Sequence, residues 1–171
     1  LTAMMKLLVG SEGIEQRGVT FNLPKSEKTS LKDFRVAIKL SSRVSDVEQN
    51  YQDQLIELGT FLKKRSKKLS FEALPALSDE EAYANFVLLL RATSTKRMSD
   101  EDIEAAAAKS KTLDAKDRSY VAMMTRAFGL SHGDWLRANE RRHQMRLIWD
   151  QFFDDWDVLL CPCAASAAWP H

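Results

Sequence analysis

The last quarter of the chain, Ser131 to His171, decides the fold: SHGDWLRANERRHQMRLIWDQFFDDWDVLLCPCAASAAWPH. Ser131 followed by Asp134 is typical of a helix start, because a hydroxyl caps a free backbone N–H and a carboxylate favours the positive helix end. Six apolar residues then recur at spacings of three, one, three, one and three, which predicts one broad apolar face on a long helix. They are Met145, Ile148, Trp149, Phe152, Phe153 and Trp156.

The hydrophobic period changes directly after this helix. Val158, Leu159 and Leu160 form a short apolar run closed by Pro162, which is typical of a fully buried strand in a sheet covered on both faces. The helical spacing predicts that the aromatic residues pack in the core, and an aromatic binding face is the alternative. Small residues follow the strand, and ligands of α/β sheets bind beyond the carboxyl ends of strands.

Two earlier stretches also predict strands. In Phe34–Leu40, FRVAIKL, alternate side chains would lie on opposite faces of a sheet, and Leu69–Leu74, LSFEAL, has the same alternation. A helical stretch between them predicts a crossover that makes the two strands parallel. We therefore predict an α/β fold with strands at about 34–40, 69–74 and 157–161, covered by several amphipathic helices.

The other helices are predicted from their start and stop signals. A hydroxyl with a carboxylate three residues later marks three starts, at Ser45, Ser78 and Ser99. Asp114 is predicted to open a further helix, which stops at Gly129. The inward faces are predicted as Ala82, Phe86, Leu89 and Leu90 in one helix and Tyr120, Val121, Met124 and Phe128 in another.

Composition excludes several classes of function. The 171 residues include 25 Lys and Arg against 24 Asp and Glu, so no strong field attracts nucleic acid, and none is expected as a partner. No apolar run reaches the roughly 18 residues of a membrane-spanning helix. The chain begins with Leu1 and stops just after a strand, so we expect it to be an internal piece of a longer protein.

Cysteines and histidines are few. Cys161 and Cys163 are the only cysteines, and a redox pair or a soft-metal site is the alternative to two small residues at a buried strand end. His132 and His143 stand about three helical turns apart, too far for one metal ion, so we predict no metal and no cofactor. Few cysteines also fit a reducing cytoplasm, which is the predicted location.

Two stretches resemble the amidase signature family. Trp149 to His171 is similar to the family's C-terminal half, and Gly18–Pro24 with Thr29–Ile38 is similar to the segment just after its catalytic core. The resemblance implies that residues 1–171 belong to a single amidase domain and contribute strands to a central mixed sheet. It also implies hydrolysis of carbon–nitrogen bonds in a small-molecule amide through an acyl-serine intermediate, and it leaves a homodimer open.

The family's catalytic serine pair stands on a loop rich in glycine and serine, and both this loop and the family's catalytic lysine are expected upstream of Leu1. Ser41-Ser42 has no glycine within several residues, and Lys6 is better explained as a solvated lysine, so no catalytic residue is predicted in this chain. The resemblance and the strand end together predict that Cys163, Ala164 and Ala165 line the substrate pocket. The alternative function is a non-catalytic helical interaction domain or a decayed amidase relative.

Overall fold

The computed structural model describes residues 2–168, and the chain divides into two compact units, Leu1–Ser30 and Leu31–His171. The first unit contains helix α1 (Thr2–Leu8) and a 3-10 helix at Gly13–Arg17. The elements of the second unit are, in chain order, a 3-10 helix Leu31–Asp33, β1 (Arg35–Ile38), α2 (Gln49–Lys63), β2 (Lys68–Ser70), α3 (Asp79–Ala92), a 3-10 helix Thr93–Arg97, α4 (Asp100–Ser110), α5 (Tyr120–Phe128), α6 (His132–Asp155) and β3 (Val158–Leu160). The single domain over 1–171 stays a prediction.

The strands form a three-stranded sheet in the order β2-β1-β3. Ala37 of β1 stands opposite Ser70 on one side and Leu159 on the other, and both pairings are parallel. The α/β class and the parallel β1–β2 pair are confirmed, and the larger mixed sheet to which these strands were predicted to belong stays a prediction. The strands are also shorter than predicted. In β2 this is because the Ser70 hydroxyl accepts the N–H groups of Glu72 and Ala73, each at 3.1 Å, which turns the chain away.

The core lies on both faces of β1, as its alternating side chains predict. Val36 and Ile38 pack with Leu62 of α2 on one face, and Ala37 packs with Phe152 and Trp156 from α6 and its end on the other. The predicted core role is confirmed for these two aromatics and is wrong for Phe153, which is 45% exposed. β3 is only half-buried, not fully buried, because it has a strand neighbour on one side alone.

An ion pair joins the starts of β1 and β3. The Arg35 guanidinium donates to both carboxylate oxygens of Asp157, from Nη2 at 2.8 Å and from Nε at 3.2 Å. The Arg35 backbone N–H donates to the same carboxylate at 2.7 Å, and the Asp157 N–H donates to the Arg35 carbonyl at 3.0 Å. This carboxylate therefore fixes the point at which the chain leaves α6 and enters the sheet.

The predicted helix starts are confirmed where a serine caps the first turn. The hydroxyls of Ser78, Ser99 and Ser131 each accept the N–H three residues on. Ser45 does not cap α2, which begins at Gln49, because Ser45 forms an antiparallel bridge with Ser42 instead.

The helix predicted from Asp114 also begins later. The Asp114 carboxylate accepts the Lys116 N–H at 2.9 Å in a turn, and Ser119 caps α5, which begins at Tyr120.

The buried faces of α3 and α5 consist of other residues than those predicted. In α3 the fully packed residue is Val87, at 2% exposure, while Phe86 and Leu90 are 59% and 43% exposed. In α5 the residues Tyr120 and Val121 are exposed, and the buried ones are Ala122, Met123, Thr125 and Ala127. The difference comes from tertiary packing. α3 packs against both α5 and α6, and α5 packs against both α3 and α4, so the residues that face these neighbours are the buried ones.

Within residues 2–168, the helices are all too short or too polar to cross a membrane.

Candidate functional site

A cleft of about 280 Å³ opens where β1 and β3 end. The loop that follows β3 forms one wall, and the chain between β1 and α2 forms the other. Carboxyl ends of parallel strands meet at one edge of a sheet, which is where α/β proteins place their ligands. The lining side chains are mostly small, with one lysine and three serines among apolar residues and cysteines: Lys39, Ser41, Ser42, Ser45, Val47, Cys161, Pro162, Cys163, Ala164 and Ala165.

The three residues predicted to line a pocket lie together in this cleft. Cys163 and Ala164 are exposed and Ala165 is half-buried. Sequence reasoning missed the residue that holds them. The Glu48 backbone N–H donates to the Ala165 carbonyl at 2.8 Å, and its carboxylate accepts the Ala167 N–H at 3.5 Å. Glu48 was predicted as part of a capping box, and it ties the loop after β3 to the start of α2.

A polar cluster of Lys39, Ser42 and Asp79 lies at the inner end of the cleft. The Lys39 ammonium pairs with one oxygen of the Asp79 carboxylate, and the Ser42 hydroxyl donates to the other at 2.7 Å. The Lys39 and Asp79 side chains are 24% and 27% exposed. Asp79 is the first residue of α3, so its charge also faces the positive helix end.

The electrostatics of this cluster keep Asp79 ionised. Partial burial by itself raises the pKa of the Asp79 carboxyl, but the hydrogen bonds from Lys39 and Ser42 and the Lys39 charge outweigh it, and the pKa lies below its ordinary value. A carboxylate with a lowered pKa is a weak base at neutral pH. Asp79 therefore accepts the hydrogen bond of the Ser42 hydroxyl as an ionised carboxylate.

A second, larger cleft of about 610 Å³ adjoins the first. Lys39, Ser41 and Ser42 line both clefts, and Asp79 lines only the larger one. The far side of the larger cleft consists of the chain before α3, around Pro75, and of Trp149 from α6. No signal in the sequence pointed to this neighbourhood, because Lys39 and Asp79 are 40 residues apart.

Comparison with known proteins finds no relative of this chain. The chain matches no protein-family model, no curated protein and no solved structure. The resemblance to the amidase signature enzymes therefore depends on the two quoted sequence stretches alone, and the last residues of one of them, 169–171, lie outside the described part of the chain.

The cysteines and histidines are placed as follows. Cys161 and Cys163 are both free and exposed on the cleft wall, so the prediction of a buried strand end is wrong for them. The His132 ring stacks on Trp135 with ring centroids 6.4 Å apart, His143 is exposed on α6, and His171 lies outside the described residues. Across residues 2–168, no three side chains of His, Cys, Asp or Glu converge as a metal ion would require.

Proposed function

We propose that this chain forms part of an amidase-type hydrolase that cleaves the carbon–nitrogen bond of small carboxamides through an acyl-serine intermediate. In this proposal the catalytic serines and lysine lie outside residues 1–171, and the chain supplies strands of the sheet and one wall of the substrate pocket. The observation that carries the proposal is the position of Cys163, Ala164 and Ala165, which line a cleft at the carboxyl edge of a parallel sheet.

The cleft chemistry suits a carboxamide. An amide group needs a hydrogen-bond donor for its carbonyl oxygen and an acceptor for its N–H groups, and a serine hydroxyl can supply either. Two such hydroxyls, those of Ser41 and Ser45, line the cleft, while the Ser42 hydroxyl in the same wall already donates to Asp79. Ala164 and Ala165 opposite them are small enough to leave room for the acyl part of a substrate.

The test is ammonia release from simple carboxamides, such as acetamide and benzamide, by the full-length protein that contains this chain. Ala164→Trp should fill the cleft and lower kcat/KM by about tenfold or more. The matched control is Ala105→Trp, at an exposed alanine of α4 that lines neither cleft, and it should leave the rate unchanged. Circular dichroism checks that both variants fold.

Two outcomes count against the proposal. One is an absence of ammonia release from every carboxamide tested, and the other is an equal effect of the two tryptophan variants. The proposal carries with it a cytoplasmic location and leaves a homodimer open. Cell fractionation and sedimentation of the same full-length protein test these two points separately.

A further inference from the structure

The strongest unexplained surface is a groove between α3 and α6. We call it the α3–α6 groove, and its volume is about 400 Å³. Its apolar lining comes from Phe86, Leu89 and Leu90 of α3 and from Trp135 and Met145 of α6, and Arg142 stands on its α6 side. None of its lining residues lines the smaller cleft at the sheet edge. Ala82 is the one lining residue that it shares with the larger, adjoining cleft.

The sequence pattern of α3 is that of a covered surface. Phe86, Leu89 and Leu90 form the apolar stripe from which an inward face was predicted, yet Phe86 is 59% exposed and Leu90 is 43% exposed. A contiguous apolar strip of this kind marks an interaction site more often than a free surface. The described residues leave this strip open, because α3 uses its Val87 side against its neighbours.

The shape of the groove suits a helix. α3 and α6 run in opposite directions, since Glu81 pairs with Arg141 near one end while Thr93 and Trp135 meet in the groove near the other. The groove extends along α3 from Ala82 to Thr93, which is roughly 16 Å or three turns. A third helix laid over two packed helices fits its side chains into such a groove.

The charge beside the groove selects an acidic occupant. α6 contains four arginines, and two of them have carboxylate partners: Arg137 pairs with Asp134 and Arg141 with Glu81. Arg142 lines the groove, and Arg146 lies four residues, about one helical turn, further along α6. Both arginines are exposed and have no ion pair within residues 2–168. Charge complementarity therefore calls for carboxylates on the occupant at this rim.

We propose that the α3–α6 groove binds an acidic amphipathic helix of a partner protein. The apolar face of that helix covers Phe86 and Leu90, and its carboxylates pair with Arg142 and Arg146. This surface is independent of the proposed amide hydrolysis, because its residues line neither wall of the cleft at the sheet edge.

The probes are two synthetic helical peptides of about four turns. Both carry leucines at spacings of three and four, and they differ only in that the residues beside the leucines are Glu in one and Lys in the other. Binding to the full 171-residue chain is measured by titration calorimetry and by tryptophan fluorescence. We expect the Glu peptide to bind about tenfold or more tightly than the Lys peptide, with the difference shrinking at high salt.

Variants assign the binding to the groove. Arg142→Glu should reverse the preference between the two peptides, and Phe86→Ser should weaken the Glu peptide about tenfold. The matched controls are Leu147→Ser, on the opposite side of α6 from Met145, and Lys109→Glu, an exposed cation of α4. Both controls should leave the affinity unchanged.

Three results would overturn the proposal. The first is equal binding of the two peptides, and the second is an unchanged preference in Arg142→Glu, which folds with a normal circular dichroism spectrum. The third is concentration-dependent self-association of the chain that Phe86→Ser abolishes, because the occupant would then be a second copy.

Discussion

Single residues in this protein act mainly by joining distant parts of the chain. Asp79 takes hydrogen bonds from Lys39 and Ser42 and thereby fixes the end of β1 to the start of α3. Asp157 does the same for the starts of β1 and β3 through the Arg35 guanidinium. In both places one carboxylate receives two or more donors, which is the arrangement in which a charged hydrogen bond contributes most.

The Asp79 cluster gives a pH-dependent prediction. Asp79→Asn should lower the free energy of unfolding by about 1 kcal/mol at pH 7, because the charge-assisted bond from Lys39 is lost. The pKa of Asp79 is lowered in the folded state, so its contribution is complete above the unfolded pKa of about 3.9 and disappears as the pH falls through the folded value. Urea denaturation of both proteins between pH 7 and pH 2 measures the difference.

Asp100→Asn is the matched control for Asp79→Asn. Asp100 is likewise the first residue of a helix, α4, but it is exposed and its side chain makes no hydrogen bond or ion pair with the described residues. If both substitutions lower the free energy of unfolding by the same amount and with the same pH dependence, the effect comes from the helix end and not from the Lys39–Ser42–Asp79 cluster.

At the scale of elements, local signals predicted the helices better than their packing. Ser131 with Asp134 marked the start of α6 correctly, since capping is decided within one turn. Ser45 failed as a cap because its backbone pairs with Ser42. The end of α5 at Gly129 was predicted correctly, but a glycine is needed there for a different reason. Gly129 has φ −90°, outside the left-handed region, and it is required by close packing against α4.

Gly129→Ala tests this packing. A Cβ at Gly129 would lie 2.5 Å from the Cα and 2.7 Å from the N of Ala107, and backbone atoms within a helix cannot move aside cheaply. We expect a loss of about 2 kcal/mol in the free energy of unfolding, from overpacking at the α4–α5 contact. Chemical denaturation measures it.

The control for this substitution is Gly133→Ala, in the first turn of α6. There the nearest atom to a new Cβ is 3.7 Å away, so the only change is a better helix former. Gly133→Ala should stabilise the protein by up to about 1 kcal/mol. A stabilising effect of Gly129→Ala as well would show that α4 and α5 are not in close contact at this point.

At the scale of the whole molecule, the sheet edge was predictable and the side-chain cluster was not. The order of apolar and polar residues predicted three strands, two of them parallel. The strand end and the resemblance to the amidase signature family together predicted Cys163, Ala164 and Ala165 as pocket residues, and all three line a cleft. The partnership of Lys39 with Asp79 depends on how α3 docks, which no local pattern encodes. The apolar stripe of α3 was wrongly predicted to face the core of this chain for the same reason. An apolar stripe predicts that a helix face is covered, but it does not predict which element or molecule covers it.

The distribution of burial predicts where the native structure is most stable. β1 has a strand neighbour on each side and a packed helix over each face, and Ala37 and Ile38 are fully buried. α4, by contrast, contains no buried residue. Native-state hydrogen exchange should therefore find the slowest amides in β1, with an opening free energy about 2 kcal/mol or more above that of α4. Amides in α4 that exchange as slowly as those of β1 would mean that the helices and the sheet open only together, as one cooperative unit, and that the two-sided core around β1 adds no local stability of its own.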